Sequence, residues 1–290
     1  MPKMGVRGMD STGEIYICAT PIGNLEDITL RALKTLRQVD LIACEDTRRT
    51  RRLLDRFNIH TRTISYHEHN ERSRVKQLVQ LAKQGKRIAV VSDAGTPGIA
   101  DPGFTLVRAA VAEGIKVSVL PGPSALVAAL SVSGLPTDRF TFYGFLPRDR
   151  LERRRVLTEL GSRPETLIVY EAPHRLRDTA HDLADLMAER TVIVARELTK
   201  HHEGVLRTTA VALPEKVAEL ERKGSLKGEF TLVVEGGATA VNSRASLDIR
   251  RHVQYFEDLG LDRKQAMKAV AKERGMSKRD IYKALQEISK

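Results

Sequence analysis

Tryptophan is absent from this chain of 290 residues, aromatic side chains make up only 4% of it, and cysteine occurs twice, at Cys18 and Cys44. So few flat rings argue against a protein that grips single strands by stacking bases on an aromatic platform. Each cysteine sits in a short apolar run, and their spacing fits neither a disulfide framework nor a metal knuckle; both are expected as buried thiols, with a reducing cytoplasm as the expected location. No apolar stretch is long enough to cross a bilayer as a helix, so no membrane association is expected. Met1 to Gly13 holds Lys3 and Arg7 but no apolar core behind them, which reads as a loose terminus rather than a secretion signal. GxxxxGK[ST] is missing, and no GxGxxG follows the first expected strand; a cofactor without a pyrophosphate therefore fits better than a nucleotide held by either loop.

What the chain does have is positive charge, 48 lysines and arginines against 37 acids, for a formal net charge of +11. Such an excess favours a polyanionic partner, because neutralising phosphates releases counterions. At 290 residues one core is near its size limit, so two lobes are expected. Short β-branched runs alternate with amphipathic segments, the pattern of an α/β protein with largely parallel strands. Strands are predicted at Ile15–Thr20, Asp40–Glu45, Thr63–His67, Arg87–Asp93 and Lys116–Leu120, then at Phe140–Phe145, Thr166–Glu171, Thr191–Glu197, Val205–Thr208 and Phe230–Glu235. The expected organisation is a terminus at 1–13, a first α/β lobe at 14–122, a second at 123–240, and a basic helical extension at 246–290 beyond a polar linker at Gly236–Ser246. In that extension Asp262 and Ser277 read as helix N-caps and Gly275 as a C-cap, giving a pair that resembles a helix-turn-helix.

Three glycine- and proline-rich loops follow first-lobe strands: Thr20-Pro21-Ile22-Gly23-Asn24, the run from Ser92 to Gly103, and Pro121-Gly122-Pro123-Ser124-Ala125. One such loop is an ordinary turn. Three at the carboxyl edge of a parallel sheet would surround a ligand crevice where strand order changes. The histidine groups His67-Glu68-His69 and His201-His202-Glu203 lack the i, i+4 spacing of a zinc helix, and no metal is expected.

The runs ATPIGNLEDIT, ACEDTR, VVSDAGTPGIADPG, LPGPSA, GFLPR, YEAPHRL, ARELTK and GEFTLVVEG, in this order, resemble the tetrapyrrole methylase superfamily and, within it, the ribosomal RNA small subunit methyltransferase I family. The first two loops depart from the glycine-rich forms of tetrapyrrole-modifying members and match the RNA-modifying branch. The resemblance implies a two-lobed tetrapyrrole-methylase-like α/β fold with S-adenosylmethionine in the cleft, a homodimer, and methylation of a cytidine ribose 2'-hydroxyl in the decoding region of 16S rRNA, on free RNA or the small ribosomal subunit. Carried over by motif, the cofactor contacts would be Pro21, Ala94, Gly95, Thr96, Ile99, Ser124, Ala125, Glu171, Leu198 and Thr231.

In-line methyl transfer asks mainly for positioning, and a carboxylate near the hydroxyl can take its proton. Glu45, Asp46, Asp93, Asp101 and Glu197 end predicted strands or follow them, and the sequence does not choose among them. Arg48, Arg49, Arg51 and Arg52, with Arg148, Arg153 and Arg154, form two arginine concentrations expected to meet RNA, since the guanidinium fork grips phosphate through two hydrogen bonds. Either could equally be a solvated helix face. Two other functions stay open on the residues: a methyltransferase of the same fold acting on a tetrapyrrole or protein side chain, and a non-catalytic RNA-binding protein.

Overall fold

A computed structural model of the chain describes residues 13–237, 248–258 and 261–287. The expected loose terminus before Gly13 and the linker beyond Gly237 lie outside the described residues.

The first sheet contains β1 (Glu14–Cys18), β2 (Leu41–Cys44), β3 (Thr63–Ser65), β4 (Ile88–Val91) and β5 (Lys116–Leu120), in the order β3-β2-β4-β1-β5 and all parallel. β2 reads LIAC and β4 reads IAVV, with every residue buried, as strands covered on both faces require. One face packs Leu78 and Val79 of α3 (Glu71–Lys83) and Leu106 of α4 (Phe104–Ala112); the other packs Leu33 and Leu36 of α1 (Leu30–Gln38) and Leu54 of α2 (Thr47–Arg56). Asp46 caps α2 by accepting from the Arg48 N–H, and Thr29 caps α1 by accepting from that of Ala32. Both cysteines are buried free thiols beneath α1 and α2.

The second sheet contains β6 (Phe140–Phe145), β7 (Thr166–Glu171), β8 (Thr191–Arg196), β9 (Gly204–Thr209) and β10 (Phe230–Val234), in the order β6-β7-β10-β8-β9. Only β6 and β7 are parallel; β10 runs antiparallel to β7 and β8, and β9 antiparallel to β8. The expectation of largely parallel strands is therefore corrected for this lobe. The connection from β8 to β9 covers only 197–203, which suffices for a hairpin but not for the dozen or more residues of a parallel crossover. β10, buried at all five positions, takes the centre. Around the sheet lie α5 (Ala125–Ser133), α6 (Arg150–Gly161), α7 (Leu176–Met187) and α8 (Leu213–Arg222).

Three further helices, α9 (Ile249–Asp258), α10 (Arg263–Arg274) and α11 (Lys278–Glu287), share a small core of Val253, Ala266, Val270, Ile281 and Leu285. Asp262 and Gln265 form a reciprocal capping box at the start of α10, and Gly275 ends it in the left-handed region at φ 62°. The Ser277 hydroxyl accepts from the Asp280 N–H at the start of α11. No helix among the described residues is long and apolar enough to cross a membrane.

Candidate active site

Strand order places β4, β1 and β5 side by side, so the loops leaving their carboxyl ends meet. The Thr20 N–H donates to the Gly95 carbonyl at 2.8 Å, and the Gly95 N–H returns the bond at 3.0 Å. The Thr20 hydroxyl donates to the Ser92 carbonyl at 3.1 Å, and that of Thr96 to the Pro123 carbonyl at 3.4 Å. Gly95 stands at φ +80°, a conformation that costs a residue with a Cβ about 1–2 kcal/mol. The three loops are thus one hydrogen-bonded wall.

The facing wall belongs to the second lobe. Its turn after β8 holds two non-glycine residues in the left-handed region, Glu197 at φ 49° and Thr199 at φ 66°. The Thr199 hydroxyl accepts from the Asn24 N–H at 3.0 Å, and a Cβ on Gly23 would lie 2.7 Å from the Leu198 carbonyl oxygen. Gly23 is therefore required by close approach of the two lobes. Tyr170 on β7 closes the back: its hydroxyl accepts from the Leu126 N–H at 3.1 Å, and its ring meets Phe142 and Phe145 edge-on at 4.9 and 5.7 Å.

An open cleft runs between these walls. Ala94, Gly95, Thr96, Ile99, Ser124, Ala125, Leu198 and Thr231, expected as cofactor contacts, all line it. Two of that set do not. Pro21 lines an adjoining pocket instead. Glu171 is fully buried on the other side of β7, where its carboxylate accepts from the Thr179 hydroxyl at 2.6 Å and the Ala172 N–H at 2.9 Å, and pairs with Arg175 at 3.3 Å. Strand alternation is the reason: if Tyr170 faces the cleft, its neighbour must face α7. Ile22, Ala100, Phe145, Tyr170, Ala195, Lys200 and Glu229 also line the cleft and were not singled out. All seven sit in the quoted motifs, and alternation along YEAPHRL selects Tyr170.

The carboxylates divide by partner. Asp93 pairs with Arg49 at 3.2 Å and accepts from the Asp46 N–H at 3.0 Å; Glu197 pairs with Lys200 at 2.8 Å; Asp46, outside the cleft lining, caps α2 and pairs with Arg48 at 3.2 Å. Glu45, Asp101 and Glu229 line the cleft and make no ion pair with a cation among the described residues. Burial, reinforced by Glu45, Glu229 and Asp93, pushes the Asp101 carboxyl up to about 6. Burial also raises that of Glu45, with the Asp93 charge adding to it. The result is a negatively charged cleft with small side chains and open backbone on one side and apolar and aromatic groups on the other. A flat heterocycle and a cationic centre both suit such walls.

The two arginine concentrations separate. On α2, Arg48, Arg49 and Arg52 are exposed, while Arg51 is half-buried and donates to the Thr63 hydroxyl at 3.4 Å. Arg148 is exposed. Arg153 and Arg154 are corrected: Arg153 is 3% exposed and donates to Asp182 at 2.7 Å, and Arg154 binds Asp182 at 2.9 Å and Asp185 at 2.7 Å. Their charge is used in holding α6 to α7.

A two-lobed α/β scaffold with a cleft of this lining defines the class of bilobal methylases. Residues 14–214 match the tetrapyrrole (corrin/porphyrin) methylase family. A Halalkalibacterium halodurans protein described as ribosomal RNA small subunit methyltransferase I is 48% identical over 277 residues, 94% of each chain. A Thermotoga maritima protein of the same description is 47% identical over 224 residues, 77% of this chain and 99% of that relative. In structure the chain is similar to uroporphyrin-III C-methyltransferase from Thermus thermophilus complexed with S-adenosylhomocysteine, with a TM-score of 0.53, 20% identity, and coverage of 76% of this chain and 97% of that one. The chain belongs to the tetrapyrrole methylase family and, within it, to the ribosomal RNA small subunit methyltransferase I proteins.

Proposed function

We propose that this protein is an S-adenosylmethionine-dependent methyltransferase of small-subunit ribosomal RNA, and that its acceptor is the ribose 2'-hydroxyl of a cytidine in the decoding region of 16S rRNA. The observation that carries the reading is the convergence of three first-lobe loops and a second-lobe turn on one acidic cleft that opens beside an exposed arginine helix. Gly95, Thr96, Ser124, Ala125, Leu198 and Thr231 would hold the donor, with Tyr170 and Phe145 closing the apolar side. S-adenosylmethionine, when bound, supplies a methyl carbon on a sulfonium, so that the carbon–sulfur bond breaks as the oxygen–carbon bond forms and a neutral thioether leaves.

The chain's own task is then to exclude water, align the hydroxyl and take its proton. Asp101 is the best placed acceptor for that proton. It faces the cleft, Asp93 and Glu197 are committed to cations, and burial, with repulsion from neighbouring carboxylates, makes it a better base than an ordinary carboxylate. Arg48, Arg49 and Arg52 would meet the phosphates outside.

The same reading includes a homodimer in the cytoplasm. Phe104, Val111, Val119, Val127, Val132 and Phe140 are between 43% and 68% exposed, on α4, β5, α5 and β6, where both sheets end in an edge strand. Apolar residues so numerous on neighbouring elements are a face for a second copy. Light scattering should give twice the monomer mass, and Val127→Glu together with Val132→Glu should shift it toward monomer.

The decisive experiment is methyl transfer from labelled cofactor to small ribosomal subunits taken from cells lacking this protein, followed by mapping of ribose methylation. One labelled cytidine ribose is the expected result. Label on a base, or no transfer with cofactor bound, would overturn the reading.

A further inference from the structure

Beside the cofactor cleft lies a second, smaller pocket that shares Arg49 and Asp93 with it. Pro21, Leu25 and Leu53 give it an apolar part, Thr20, Thr50, Ser92 and Asp93 a polar one, and Arg49 and Arg52, three residues apart on one face of α2, also line it. Leu25, in a short 3-10 helix after the first loop, is 41% exposed. Arg52 is exposed and has no hydrogen-bond or ion-pair partner among the described residues. Arg49 is held at the boundary by its 3.2 Å pair with Asp93.

An apolar patch, two guanidinium groups beside it and a boundary shared with the cofactor cleft match the parts of one ribonucleotide. RNA-binding proteins commonly take unpaired nucleotides splayed out of the strand. We infer that this pocket receives the acceptor nucleotide, with Leu25 and Pro21 against its base, Arg52 on its phosphate, and its ribose at the Asp93 wall facing the donor. The inference rests on the reading of the chain as a ribose methyltransferase and adds where the acceptor sits.

The test compares full-length wild type with Leu25→Trp, which fills the pocket from a partly exposed position, and with Arg52→Glu and Arg52→Lys. Lys76→Glu, exposed on α3, controls for the change of net charge. Affinity for S-adenosylmethionine is measured by calorimetry, and kcat and KM are measured on small ribosomal subunits lacking the modification. Leu25→Trp and Arg52→Glu should keep wild-type cofactor affinity while kcat/KM falls by about tenfold or more, the loss expected for a charged phosphate contact. Arg52→Lys should recover part of it, and Lys76→Glu should lose little. Cytidine 5'-monophosphate should compete with the RNA on wild type but not on Leu25→Trp. Variants with wild-type kcat/KM, or with cofactor affinity reduced in the same proportion, would overturn the assignment while leaving the methyltransferase reading intact. A wild-type protein that leaves RNA unmethylated would overturn both.

Discussion

Replacing Asp101 by asparagine separates what this carboxylate does for the fold from what it does for the reaction. Its carboxyl is held at about 6 against an ordinary 3.8, a difference of about two pH units, by burial and by Glu45, Glu229 and Asp93. At about 1.4 kcal/mol per unit, ionising it in the folded chain costs roughly 3 kcal/mol more than in the unfolded one. Water in the open cleft screens part of that, leaving about 1–2 kcal/mol. Because the folded state binds this proton more tightly, stability from this group is fullest below pH 3.8, falls as pH rises to about 6, and is level above. Asparagine cannot ionise. Asp101→Asn should therefore melt about 2–6 °C higher than wild type at pH 8, and the gain should shrink toward pH 4.5. Calorimetric melting across that range reads the difference. In the same variant methyl transfer should fall by about 100-fold or more with cofactor affinity kept, and wild-type turnover should rise with pH through about 6 before levelling. A variant that melts lower at pH 8, or gains equally at both ends of the range, refutes the electrostatic argument; one that keeps full turnover refutes the role as base.

Asp182→Ala should cost about 3–5 kcal/mol in urea unfolding, because it strands the guanidinium of Arg153, whose side chain is 4% exposed, without changing KM for RNA well below the melting point. Gly23→Ala should weaken S-adenosylmethionine binding, measured by calorimetry, since the new methyl group meets the Leu198 carbonyl at 2.7 Å and forces the lobes apart at a cost of about 1–3 kcal/mol. Removing residues 238–290 should leave cofactor binding, measured by calorimetry, unchanged, because every residue lining the cleft lies before them. RNA affinity should fall and its salt dependence flatten in that truncation, because exposed Lys264, Lys268 and Lys272, spaced four apart on α10, are lost with the tail.

Much of the molecule is written locally in the chain. LIAC and IAVV, short apolar runs between turn signals, read as strands buried on both faces, Asp262 with Gln265 and Gly275 bracket a helix, and the long loop motifs mark a ligand crevice. Those features depend on neighbours within a few residues, so sequence alone determines them. The remainder depended on partners far along the chain. β10, the last of these strands in sequence, lies antiparallel between β7 and β8 with all five residues buried, a placement set by partners dozens of residues away. Asp182 buries Arg153, 29 residues away, and ties down the half-buried Arg154, 28 residues away, which a run of like charge cannot reveal. Glu171 turns inward because Tyr170 turns to the cleft, and Pro21 moves to the adjoining pocket because Gly23 and Asn24 dock on the opposite lobe. Residue types were legible because chemistry is local; which face each presents was decided only when the two sheets and their loops packed together.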